Sequence, residues 1–210
     1  MSEDPAKPAP KLIDTLDAPE IFVDGVCGFF LHNGTLRLAF EVSRADHSSS
    51  PGPITRLVAA RIAMPAAGAR GLAVSLFDFL KKMGLEPGRV APSVAVQKTS
   101  DQPPDPAPKP AATTTGEPPT PAPEFVEWPG APVIFADGVA GFFLHNGILR
   151  IAFEASRFDH SAAQAPASRV LVARLAMPAV GASVLAVNLF DFLKKMGIDP
   201  ASVSAVPTMQ

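Results

Sequence analysis

Four histidines, His32, His47, His145 and His160, are the residues of this 210-residue chain best suited to proton transfer or metal ligation. Two of them adjoin carboxylates, in Asp46-His47 and Asp159-His160, with Arg44 and Arg157 two residues before each aspartate. Two further carboxylates, Asp24 and Asp137, each precede a glycine. A histidine beside an aspartate is the composition of a general-base pair or of a His/Asp metal or hydrolytic site. The local context points to structural roles instead. His32 and His145 flank Asn-Gly steps and belong beside a solvated turn tip. Asp46-His47 opens a Ser-, Pro- and Gly-rich stretch, where an aspartate serves an Asx turn. Asp24-Gly25 reads as a bend or bulge between strand segments. The triplet spacing Gly25-x-x-Gly28 lies among strand residues and opens no helix, so it is not a phosphate-binding motif. Cys27 is the single cysteine, which excludes a disulfide framework and any zinc or iron–sulfur site built on cysteines. No catalytic residue, cofactor or metal is expected.

These groups recur because much of the chain is written twice. A shift of 113 residues aligns IFVDGVCGFFLHNGTLRLAFEVSRADHS with IFADGVAGFFLHNGILRIAFEASRFDHS, and RIAMPAAGARGLAVSLFDFLKKMG with RLAMPAVGASVLAVNLFDFLKKMG. From 21 to 88 there are 45 identities in 68 positions. Differences are more informative than agreements between such copies. Cys27 becomes Ala140, so thiol chemistry common to both is excluded. The expected organisation is a leader at 1–7, a first unit at 8–97, a linker at 98–120 and a second unit at 121–210. The linker is Pro- and Thr-rich and has no large apolar side chain with which to join a core.

The element that must position His32 is a hairpin. Asn-Gly takes the two positive-φ positions of a type I′ turn. Tipping the hairpin at Asn33-Gly34 pairs Phe30 with Arg37, Phe29 with Leu38 and Cys27 with Phe40. One face then carries Cys27, Phe29, Leu31, Leu36, Leu38 and Phe40, and the other Val26, Phe30, His32, Thr35, Arg37 and Glu41. A third strand is expected from Arg56 to Met64, with Val58, Ile62 and Met64 inward and Leu57 and Arg61 outward. Short apolar pieces at 12–13 and 21–23 add edge strands. From Pro65, the expected first helical residue, Ala69, Leu72, Leu76, Phe79, Leu80 and Met83 make one helical stripe, stopped at Gly84. Each unit is therefore expected to be a small antiparallel sheet of three to five strands followed by one long helix, an α+β fold.

One helix over one small sheet leaves apolar surface uncovered. Phe30 and Phe143 fall on outer sheet faces, opposite Arg37 and Arg150 in cation–π range. Leu57 and Val170 extend the same faces, and Phe77 and Phe190 lie off the main helix stripe. These eight residues are the expected interface. The expected partner is the other unit, in a pseudo-two-fold intrachain pair or a homo-oligomer, together with an unidentified protein. An apolar ligand between the units is a further possibility.

A formal charge of −2 weighs against nucleic acid as a partner, and no run of apolar residues is long enough to span a membrane. The opening MSEDPAKPAPK lacks the basic patch and apolar run of a signal peptide, so a cytoplasmic location is expected. The order of an HNG hairpin, an R(I/L)AMP strand end and a helix closing in LFDFLKKMG resembles small uncharacterised bacterial domains. At the level of topology, paired copies of strands followed by a helix are similar to the SecB export-chaperone layout. That likeness implies apolar clients held in grooves, with Phe30 and Phe143 as the contact residues. A non-enzymatic interaction or scaffold protein is the expected function, with a SecB-like holdase or adaptor second and the His/Asp site third.

Overall fold

Asn33 and Gly34 take φ of 48° and 72°, and Asn146 and Gly147 take 49° and 74°, as type I′ turns require. In the computed structural model, which describes residues 12–15, 17–48, 52–88, 124–158 and 167–201, each turn also starts a helix. The Gly34 carbonyl accepts from the Ala66 N–H at 2.8 Å, and the Gly147 carbonyl from the Ala179 N–H at 2.8 Å. Each bond satisfies a donor that the first helical turn leaves open. The leader 1–7, the linker 98–120, Asp159 and His160 lie outside the described residues.

The fold is α+β. The elements in chain order are β1 (Leu12–Ile13), β2 (Glu20–Phe22), β3 (Gly25–His32), β4 (Thr35–Ala45), β5 (Ile54–Pro65), α1 (Ala66–Lys82), β6 (Glu124–Val126), β7 (Val133–Phe135), β8 (Gly138–His145), β9 (Ile148–Arg157), β10 (Ser168–Pro178) and α2 (Ala179–Lys195). Strands β3, β4 and β5 form an antiparallel meander, and β8, β9 and β10 form another. Pro65 closes β5 in extended geometry, φ −58° and ψ 149°, and the helix begins one residue after the position expected.

The edge strands do not join the sheet of their own half. β1 and β2 pair in parallel with β10, while β6 and β7 pair in parallel with β5. Both sheets are therefore mixed and five-stranded, rather than antiparallel throughout. The reason is chain length. Only Val23 and Asp24 separate β2 from β3, and β5 lies beyond β4. A parallel crossover within one sheet needs about a dozen residues or more. The segment instead runs straight onto the other sheet, as a pairing arm.

Two bulges adjust each meander, at matching places, and those of the first half show their effect. Val26 pairs with Phe40 and Gly28 with Ala39, so Cys27 has no register partner. The expected Cys27–Phe40 pair is thus replaced by Val26–Phe40, and Val26 packs against the core while Cys27 does not. The other bulge, at Ala59, separates Ala60, Ile62 and Met64 in the core from Val58, which is buried outside it.

One core serves both halves. Leu36, Leu38, Phe40, Leu72, Leu76 and Leu80 share it with Leu149, Ile151, Phe153, Leu185, Leu189 and Leu193. Each fully buried leucine contributes roughly 1.5–3 kcal/mol of transfer free energy. The rings interlock across the halves. Phe29 stacks on Phe192 and Phe142 on Phe79, each at 5.3 Å between centroids. Phe77 meets Phe190 at 6.2 Å where α1 and α2 touch. Met83, expected on the buried stripe, caps the helix and is exposed.

Candidate functional site

Six of the eight expected interface residues, all but Arg37 and Arg150, separate into three environments. Phe77 and Phe190 are spent on each other between the helices. Leu57 is half-buried opposite Val42 and beside Val126, and Val170 is buried beside Ile13 of β1. Phe30 and Phe143 remain open on the outer sheet faces, each 58% exposed.

The register places Phe30 opposite Arg37 and Phe143 opposite Arg150. The rings nevertheless stack on histidines: Phe30 on His32 and Phe143 on His145, each at 6.1 Å. Period two brings residues i and i+2 to one face, and two flat rings pack there without desolvating a guanidinium. Arg150 is drawn instead to Glu20 of the arm at 2.6 Å. Arg37 has no such partner among the described residues, because Val133 stands where the first arm has Glu20. Beside each phenylalanine lies a shallow hollow. Gly28 and Ala39 line one of about 310 Å³ between Phe30, Arg37 and Arg61, and Gly141 and Ala152 line one of about 390 Å³ between Phe143, Arg150 and Arg174.

The arginines beside these hollows clamp the arms. Arg61 pairs with Glu127 and reaches the Ala131 carbonyl at 3.4 Å; Arg174 pairs with Asp14 and reaches the Ala18 carbonyl at 3.3 Å. The carboxylates singled out in the sequence do similar structural work. Asp24 Oδ2 accepts from the Ser43 N–H and Asp137 Oδ2 from the Ser156 N–H, each at 2.5 Å, fixing the arm's entry to β3 or β8. Asp46 Oδ1 accepts from the Ser48 N–H at 2.8 Å, an Asx turn, and that backbone bond holds its carboxyl below the usual range. Among the described residues, no three histidine, cysteine, aspartate or glutamate side chains are grouped to hold a metal ion. Burial, reinforced by the neighbouring Glu41 carboxylate, pushes the Cys27 thiol up to about 11, so it is a poor nucleophile.

A cavity of about 480 Å³ was not legible in the sequence. Leu57, Val58 and Val42 line it from the sheet, and Val126 and Trp128 from the arm of the other half. Its single signal was Trp128, the one tryptophan, standing where the first arm has Thr15.

No family model matches this chain, nor does any curated protein or solved structure. Among the described residues no helix is long and apolar enough to cross a membrane.

Proposed function

We propose that the chain is a non-enzymatic interaction protein, one unit duplicated and fused into a pseudo-two-fold pair, whose outer sheet faces dock a protein partner. The contrast among aromatic side chains carries this reading. Phe29, Phe77, Phe79, Phe142, Phe190 and Phe192 meet one another across the two halves, whereas Phe30 and Phe143 stay 58% exposed at matching places. A large aromatic side chain beside an arginine and a hollow is the composition of an interface anchor. Holding such a surface open carries a solubility cost that partner binding removes.

The test is a photo-crosslinking phenylalanine analogue placed at 30 or 143 of the full chain in cells. A discrete adduct of fixed stoichiometry, lost when the remaining outer phenylalanine is also changed to Asp, is the expected result. Adducts with many unrelated clients would replace the scaffold reading with a holdase. The absence of any adduct at either position overturns both.

A further inference from the structure

We infer that the cavity beside Trp128 is a binding site for a small organic anion with an aromatic body. This goes beyond the outer-face reading, since neither Phe30 nor Arg37 borders the cavity and Leu57 alone is common to both. Its volume of about 480 Å³ falls within the range of ligand pockets, roughly 300–1,000 Å³.

Trp128 is 52% exposed, yet its surroundings are fixed. The Ala131 N–H donates to the Trp128 carbonyl at 3.0 Å, closing a turn through Pro129-Gly130. Glu127 on one side pairs with Arg61, and Ala131 on the other is buried, with its carbonyl accepting from Arg61. The indole lies over Gly130, where a built Cβ would stand 2.9 Å from Cε2 and Nε1. Any larger residue at 130 would push the ring away. The ring thus rests against the Gly130 backbone on one side, which restricts its rotamers before a ligand arrives and lowers the ordering cost of binding. An aromatic ring stacks on this indole while its edge meets the apolar wall of Leu57, Val58 and Val126.

Charge selects the head group. Glu127 is neutralised by Arg61, and the Asp46 carboxylate, which accepts from the Ser48 N–H, lines the adjoining hollow and not this cavity. Arg44 lines both hollows and has no ion-pair partner among the described residues. A carboxylate at that rim gains a charge-assisted hydrogen bond. The corresponding place in the other half is filled differently. Thr15 Oγ1 donates to the Leu171 carbonyl at 3.0 Å, and Val170 and Leu171 are buried.

The chain's single tryptophan reports on the site directly. Phenylacetate titrated into the full chain should change Trp128 emission saturably. Benzylamine, with the opposite charge, and the Arg44→Gln variant with phenylacetate should each bind at least about tenfold more weakly, the worth of one charged hydrogen bond. Trp128→Thr, read by calorimetry with its fold checked by circular dichroism, should lose the binding heat. Phe30→Asp should leave binding unchanged, which separates this site from the outer face. No saturable response, equal affinity for benzylamine, or full affinity in Arg44→Gln overturns the inference.

Discussion

Gly68 and Gly71 lie three residues apart on α1, and the structure demands opposite responses from them when each becomes alanine. A Cβ built on Gly68 stands 2.1 Å from the Asp137 carbonyl oxygen and 3.0 Å from its carbon. The helix and the bend leading into β8 would have to separate by about 1 Å, an overpacking cost of roughly 1–3 kcal/mol. Alanine returns about 0.8–1 kcal/mol of helix propensity. Gly68→Ala should therefore be destabilising by up to about 2 kcal/mol in net. At Gly71 a Cβ meets nothing within 4 Å, so the propensity gain of about 0.8–1 kcal/mol stands alone. The other half agrees: Gly71 corresponds to Val184, while Gly68 corresponds to Gly181, whose Cβ would stand 2.2 Å from the Asp24 carbonyl. Urea unfolding of the full chain by far-UV circular dichroism measures both variants. The midpoint should fall for Gly68→Ala and rise for Gly71→Ala at an unchanged slope. A rise for Gly68→Ala would refute the close packing of α1 on the opposite half.

Loss of the arm clamp in Arg61→Gln leaves Glu127 and the Ala131 carbonyl without that partner; hydrogen exchange should quicken at Val133–Phe135 while α1 stays protected. Gly34→Val forces a β-branched residue to φ 72° at the turn that caps α1, and should lower stability by roughly 1–2 kcal/mol in the same urea assay, whereas Thr35→Val should stay within about 0.5 kcal/mol. The Cys27 thiol, raised from 9.0 to about 11, stays protonated well above neutral pH. Its alkylation at pH 8 should be on the order of a hundredfold slower in the native chain than in urea. Because the folded state keeps that proton longer, its contribution to stability is present below pH 9 and is lost as pH rises from 9 towards 11.

The meanders and helices were legible because each carries a local signal. Asn33-Gly34 fixes a hairpin, the alternation through Ala60, Ile62 and Met64 marks a strand, and Leu72, Leu76 and Leu80 mark a helix face. The arms were legible only as short apolar pieces, since β2 and β7 have three residues each and no period shows which sheet they join. The bulge at Cys27 defeated strict alternation, exchanging the places of Val26 and Cys27 relative to the core. At the outer face, the opposition of Phe30 and Arg37 was readable from the turn, but the stacking of Phe30 on His32 was not. The Trp128 cavity lay furthest from view, because its walls come from segments about 70 residues apart that meet only through the exchange of arms.

That exchange has a consequence for molecules at high concentration. Without its arm, β5 or β10 is an open strand edge, a template for any matching segment. A released arm fits the vacated edge of another copy as well as that of its own. Two copies that trade arms reciprocally close as a swapped dimer, whereas a copy that gives its arm to one neighbour and takes an arm from another leaves an arm and an edge open at the ends of the series. Arg61 and Arg174 thus do more than hold a strand in place: each bond they make to an arm favours that arm's return to the edge of its own chain.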